Sequence, residues 1–202
     1  MPGESPAAAP SMNGLPAQEA LRLLQAVPRR RARRSYTGEP VPERDLAELA
    51  AFAKQWQPWP GARCAVIAEA PPALFMGVIG AYGGISASPS ALAFIGSGPA
   101  EAVGYCGEAM VLEATARGLG TCWVAGVFRP GVVEALVPVS AEERVFAVSA
   151  LGHAMASPST RERLLFGAGR AKKRRPLEEI AHGQDGWPAW ARSAVTAAQI
   201  AP

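Results

Sequence analysis

The sequence predicts an α+β fold in which helices pack around one sheet. Segments with helical periodicity and short apolar segments typical of buried strands alternate along the 202 residues, without the regular rhythm of parallel βαβ units. Apolar residues make up 49% of the chain and charged residues 18%, which is typical of a globular body. A chain of this length buries one core well and is short for two ordinary domains.

Helices are predicted where apolar residues recur every three or four positions. The predicted helices are 17–27, 42–52, 101–117, 130–136 and 177–182. Pro28 ends the first of them, and Pro42 suits the start of the second. The longest, 101–117, is apolar or small on almost every side, which favours the centre of the fold or a subunit interface. Gly118 and Gly120 end it.

Strands are predicted in short apolar segments that polar residues, glycine or proline bound. The predicted strands are 64–68, 91–95, 121–127 and 145–151. The segment 74–84 is apolar and interrupted by glycines, and it fits either a short helix or a turn. Residues 1–16 are rich in Ala, Pro, Gly and Ser, so we expect a disordered leader. A domain then covers 17–182, and 183–202 is a polar C-terminal extension that contains tryptophan.

The composition argues against several classes of protein. No basic start precedes an apolar run, and no apolar stretch reaches the ~20 residues of a membrane span, so we expect a cytoplasmic protein that does not bind membranes. Three widely spaced cysteines and two histidines predict neither a disulfide framework nor a metal site. The glycine-rich phosphate loops and the G-x-S-x-G motif of serine hydrolases are absent from the sequence.

Positive charge is concentrated in two clusters, although the formal net charge is only +3. One cluster lies at 29–34 and the other at 170–175. Two such clusters either bind one anion between them or form separate solvated faces. A nucleic-acid surface is a further alternative, but aromatic residues do not interleave with these charges as such a surface favours.

Three segments together resemble the nitroreductase family. RRSYTGEPVP at 33–42 is similar to the family's opening motif, and LEATARGLGTCW at 112–123 resembles its central helix and the turn into a strand. KKRRPLEEI at 172–180 is similar to the closing segment. The three occur in the family's order and span most of the chain.

The resemblance implies a nitroreductase-like sandwich with a mostly antiparallel sheet, and a homodimer that binds FMN. NAD(P)H would reduce the flavin, and a nitroaromatic, quinone or enone would then accept the electrons in a ping-pong mechanism. No protein residue is expected to be catalytic, because the flavin performs the chemistry. Two alternatives stay open on the same fold: a different flavin reaction, or a flavin-sensing protein without turnover.

The resemblance also assigns the cofactor-binding residues. Arg33, Lys172 and Arg174, with Arg175 as an alternative one position along, would hold the phosphate, since forked cationic donors suit that group. The remaining predicted cofactor-binding residues are Arg34, Ser35, Thr37, Gly120, Thr121, Ala125 and Gly126. Within this set, the backbone N–H groups near Ala125 and Gly126 would approach the N5 and O4 atoms of the flavin.

The chain departs from the family pattern in two places. Thr37 stands where larger members have a basic residue near the pyrimidine edge of the flavin. The loop before the first strand keeps Gln57, Pro58 and Trp59 of the family motif but lacks its asparagine. In that loop, Trp56 and Trp59 fit either core packing or a lid over the cofactor. These departures make flavin binding better supported than turnover.

Overall fold

The computed structural model describes residues 15–76, 84–157, 174–183 and 186–200. Its helices are α1 (Ala17–Ala26), α2 (Glu43–Gln55), α3 (Ala100–Ala116), α4 (Pro130–Glu134), α5 (Leu177–Ile180) and α6 (Ala189–Gln199). Its strands are β1 (Ala62–Ile67), β2 (Ser90–Gly96), β3 (Gly120–Val124) and β4 (Arg144–Gly152). A short 3-10 helix at Pro72–Phe75 occupies the start of the segment for which the sequence left two alternatives.

The described strands form one antiparallel sheet in the order β1-β2-β4-β3. β2 and β4 are central, and the residues of β2 are buried along its whole length. The register between these two strands shifts between Phe94 and Ile95. β3 pairs with β4 from Gly120 opposite Gly152 to Val124 opposite Val148. The α+β fold with a mostly antiparallel sheet is therefore confirmed.

α3 is the central helix of the structure. It buries residues on most of its circumference, and it packs against α1, α2 and the sheet. The close approach to the sheet depends on Gly107, where a Cβ would lie 2.4 Å from the Trp123 ring and 3.0 Å from Phe94. The all-round apolar pattern of α3 thus reflects burial within one chain.

An ion-pair network joins the three long helices beside this core. Glu113 of α3 is fully buried, and its carboxylate pairs with Arg22 of α1 and with Arg117 at the end of α3. Arg117 also pairs with Glu48 and with Asp45 of α2. A buried carboxylate requires such partners, because an isolated charge in the core is very unfavourable.

Two predictions about elements are wrong. The strand predicted at 121–127 ends at Val124, and the three residues that follow are exposed. They lie beyond Val124, the last residue of β3 that pairs with β4, so they are not hydrogen-bonded into the sheet through β4. The tail contains α6, which the sequence did not predict. α6 buries none of its residues.

Candidate anion-binding site

The first basic cluster begins in the turn that ends α1, at Arg29, and continues into an extended segment beside β3. The backbone N–H of Arg33 donates to the Thr121 carbonyl at 2.8 Å, and Ala32 pairs with Thr121 in a parallel bridge. Side chains of an extended segment alternate between two sides. Accordingly Arg30 is buried at 5% exposure, whereas Arg31 is exposed. Arg29, whose backbone N–H donates to the Ala26 carbonyl at 3.0 Å in the preceding turn, is also exposed.

Arginines on the outer side of this segment face a cavity of about 370 Å³. Arg29, Arg31 and Arg33 line it together with the chain at Gly118–Gly120 and at His153–Ala156. Among the described residues, no carboxylate lies within ion-pair distance of any of these three arginines. The cavity therefore presents positive charge to its contents, and its volume lies within the ~300–1,000 Å³ range of small-molecule sites.

Gly120 allows the cationic segment to lie close to the sheet. A Cβ at this position would meet the Ala154 Cβ at 2.9 Å and the side chain of Arg33 at 3.3 Å. Gly118 adopts φ +80°, a conformation that favours glycine and that turns the chain from α3 into β3. The two glycines of the predicted motif thus shape the floor of the cavity beneath Arg33.

The rest of the opening motif is fixed by backbone hydrogen bonds on either side. Thr37 donates to the His153 carbonyl at 2.9 Å, and the Ser35 carbonyl accepts from Met155 at 3.0 Å. On the other side, Ser86 donates to the Arg34 carbonyl at 2.9 Å. The segment is therefore held between the end of β4 and the chain that leads into β2.

The inner side of the cationic segment pairs with α3 and lies within electrostatic range of Arg174 in the second basic cluster. Buried Arg30 pairs with Glu108 at 3.5 Å, and the Trp123 indole donates to the same carboxylate at 2.9 Å. Burial lowers the pKa of Arg30; the charge of Glu108 opposes this effect, and those of Arg31 and Arg174 add to it. Burial likewise raises the pKa of Glu108. Arg174 of the closing segment is thus close enough to interact electrostatically with the opening one.

The structure brings some of the predicted cofactor residues together and separates others. Arg33 and Gly120 line the cavity, and the Arg33 backbone joins that of Thr121. Ala125 and Gly126 are exposed at the opposite end of β3, five residues from Gly120, which corresponds to roughly 15 Å. A ligand that contacts both ends must be elongated.

The closing segment is described in part. Lys172 lies outside the described residues, whereas Arg174 and Arg175 are described and exposed. The Arg174 guanidinium donates to the Ile200 carbonyl at 3.2 Å, and the Arg175 carbonyl accepts from Gln199 at 2.7 Å. Arg174 therefore lies between α6 and the cationic segment.

Sequence reasoning missed part of the lining of the cavity. Arg29 and Arg31 were left as solvated charges of the basic run, yet both line the cavity with Arg33: the alternation of the extended segment places Arg31, and the turn after α1 places Arg29. Their spacing of two residues was the available signal, but it has meaning only once the segment is known to be extended.

Trp56 and Trp59 lie in the core rather than over the cavity. Trp56 is buried and Trp59 is partly buried against the same core, and both rings lie within 6.5 Å of the Tyr105 ring. Neither residue lines the cavity at Arg33. Within the described chain, packing thus describes both tryptophans better than a lid.

The described residues contain neither a membrane-spanning helix nor a cluster of metal-binding side chains. No helix there is long and apolar enough to span a membrane. No group of three or more His, Cys, Asp or Glu side chains in the same residues is placed to hold a metal ion.

Comparison with protein families gives one match that covers most of the chain. The family model described as "Putative TM nitroreductase" matches residues 22–202. No curated protein sequence matches the chain significantly.

Several solved structures share the fold. An FMN-containing oxidoreductase aligns at 17% identity and a TM-score of 0.58, over 91% of this chain and 97% of that one. A variant of an FMN- and NADPH-dependent nitroreductase from Sphingopyxis sp. strain HMH aligns at 17% identity and a TM-score of 0.56, over 80% of this chain and 98% of that one. A nitroreductase from Bacteroides fragilis with bound FMN aligns at 15% identity and a TM-score of 0.54, over 67% of this chain and 90% of that one. At these identities the likeness shows the fold.

Proposed function

This chain belongs to the TM nitroreductase family, and we propose that it is an FMN-dependent oxidoreductase that takes electrons from NAD(P)H. The family match over 22–202 and the fold support an oxidoreductase. The observation that carries the cofactor assignment is the cavity at Gly120, lined by three arginines that have no carboxylate partner among the described residues. Such a donor set suits a phosphate, the charged end of FMN.

The residues at the cavity and at the far end of β3 fit this cofactor. Arg33 lies against the glycine floor of the cavity, and the charge of Arg174 reaches Arg30 in the same segment, although Arg174 does not line the cavity. We assign the phosphate to Arg33 and Arg174, with Lys172 as a third group. At the other end of β3, a Cβ on Gly126 would have nothing within 4 Å, so that backbone is open to a planar ring. An elongated flavin matches the separation of the two ends.

The protein's part in the reaction is to bind and to orient. When bound, FMN supplies the chemistry: it accepts two electrons from NAD(P)H and passes them to an acceptor, in the ping-pong order of two half-reactions. Arg33 and Arg174 neutralise the phosphate, while exposed N–H groups at Ala125 and Gly126 would donate to the ring. We propose a nitroaromatic, quinone or enone as the acceptor class and a homodimer as the active form.

A flavin-binding protein without turnover is the second candidate, and Thr37 favours it. Thr37 is exposed and uncharged at a position where a positive charge would stabilise the reduced ring. Its backbone is bonded to His153, so the segment does not bring another charged group to that position.

The visible spectrum of the purified protein tests the proposal. After FMN is added and the excess removed, we expect one flavin per chain, bleaching with NADPH or NADH, and recovery of the bands when a quinone is added. Bound flavin that never bleaches would replace the oxidoreductase with the flavin-binding protein. Absence of flavin binding would refute both the oxidoreductase and the flavin-binding protein.

A further inference from the structure

Exposed apolar side chains lie next to Gly126, one of the residues assigned to the flavin ring. Val127 directly follows Gly126 and is 46% exposed, and Met76 is 56% exposed. The two belong to segments that a backbone hydrogen bond joins, since the Arg129 N–H donates to the Leu74 carbonyl at 3.4 Å. Exposed apolar side chains on adjoining segments mark a binding site more often than a single one does.

The core beneath holds these two segments in place. Phe75 is buried, and Phe128 packs against the core cluster that contains it. Met76 directly follows Phe75 and Val127 directly precedes Phe128, so each exposed side chain adjoins an aromatic residue of the core. α4, which begins at Pro130, also packs against the 3-10 helix that contains Phe75. The backbone that carries the exposed pair is therefore fixed by packing.

Arg129 adds a positive charge beside these side chains. It is exposed two residues after Val127, and no carboxylate in the described part of the chain lies within ion-pair distance of it. A guanidinium without a carboxylate partner in the protein can pair with an anionic ligand, and its planar fork suits a carboxylate. We call Val127, Met76 and Arg129 the ring-end surface.

We infer that the ring-end surface binds the electron acceptor, and that it favours acceptors with an aromatic body and a carboxylate. Val127 and Met76 cover the aromatic body, and Arg129 pairs with the carboxylate. The inference rests on the proposed function, because it narrows the acceptor class of that reaction. Binding of the nicotinamide donor at the same surface is the alternative, and the experiments separate the two.

The first test measures binding and needs no turnover. 2-Naphthoate and 2-naphthamide, which share an aromatic body and differ in charge, are titrated calorimetrically into FMN-loaded protein. We expect wild type to bind the naphthoate about fivefold more tightly, the upper range for exposed charge pairs, and Arg129→Gln to lose that preference. Val127→Ser should weaken the binding of both compounds to the same extent, because it removes apolar surface that both cover.

Arg44→Gln is the matched control, since Arg44 is an exposed arginine on α2 that pairs with Glu48. It should leave the preference of wild type unchanged. Flavin content should stay at the wild-type level in Arg129→Gln, because this side chain is not assigned to FMN. Equal binding of the two compounds by wild type, or a preference that survives Arg129→Gln, would overturn the inference.

The second test separates the acceptor from the donor. In the complete reaction, NAD(P)H and a proton convert the nitro group of 4-nitrobenzoate to a nitroso group and water, with NAD(P)+ as the other product. The ratio of kcat/KM for 4-nitrobenzoate to that for 4-nitrobenzamide should fall about fivefold in Arg129→Gln. The rate at which NAD(P)H bleaches the flavin without an acceptor should not change. An equal fall in that rate would overturn the inference by assigning the surface to the nicotinamide donor.

The two proposals fail in different ways. Naphthoate binding that depends on Arg129, in a protein whose flavin NAD(P)H never bleaches, would support the carboxylate preference of the surface and refute the proposed reaction. Turnover at equal efficiency on 4-nitrobenzoate and 4-nitrobenzamide would support the reaction and refute the role of Arg129.

Discussion

Removal of Arg33 and Arg174 together should release FMN and leave the fold intact. Both residues are assigned to the phosphate, and the buried carboxylate of Glu113 pairs with Arg22 and Arg117 instead. Arg33→Ala with Arg174→Ala therefore leaves no buried carboxylate without its partner. The Arg33 backbone bond to Thr121 does not depend on the side chain.

The size of the effect follows from burial. A hydrogen bond to a charged group contributes about 1.5–3 kcal/mol. Half-buried Arg33 belongs toward the upper end of that range, and exposed Arg174 toward the lower end. Together they give about 4 kcal/mol, which corresponds to roughly a thousandfold increase in the Kd for FMN.

Flavin content after gel filtration and a fluorescence titration with FMN measure this change, and circular dichroism with a thermal melt reports the fold. Arg44→Ala with Arg129→Ala is a control of equal charge change, since both arginines are exposed and lie outside the cavity lining. A double variant of Arg33 and Arg174 that keeps stoichiometric flavin would refute the phosphate assignment. If the flavin-free double variant melts at a lower temperature than flavin-free wild type, the two arginines have a structural role instead.

Three further changes probe the surroundings of the site. Glu113→Ala should lower the free energy of unfolding by about 3 kcal/mol in a urea titration, because two arginines lose their buried partner. Gly120→Ala should both weaken FMN binding and lower the free energy of unfolding, because its Cβ would meet the Ala154 Cβ at 2.9 Å and the Arg33 side chain at 3.3 Å; unchanged FMN binding would contradict this. Arg63 holds the pKa of Glu143 at about 2, below the ordinary 4.5, so the pair stabilises the fold above about pH 4.5 and this stabilisation is lost as the pH falls toward 2. The urea midpoint of unfolding should therefore fall less between about pH 4.5 and pH 2 in Glu143→Gln than in wild type.

The sequence predicted elements that are buried and missed elements that are not. The helix predicted at 101–117 is observed at Ala100–Ala116, because small and apolar residues on every side require a central position. Strand β2 is observed within one residue of its prediction at each end. α6 buries no residue and was not predicted, although α5, which also buries none, was.

The candidate site shows a similar division. Motif resemblance pointed to Arg33 and Gly120, and both line the cavity. That Arg29 and Arg31 line the cavity with Arg33 could not be read from the sequence, because a run of arginines does not show which of them share a side. The bridge at Ala32 makes the chain from Arg31 to Arg33 extended, and the turn after α1 places Arg29.

The same bridge has a consequence for the unliganded protein. β3 lies at the edge of the described sheet, and edge strands offer unpaired backbone groups to other extended chains. The segment around Ala32 shields this edge through a single parallel bridge to Thr121. A ligand that binds Arg33 stabilises this shielded state by mass action. Flavin-free protein should therefore aggregate at a lower temperature than flavin-loaded protein, and FMN supply during expression should determine how much protein is recovered.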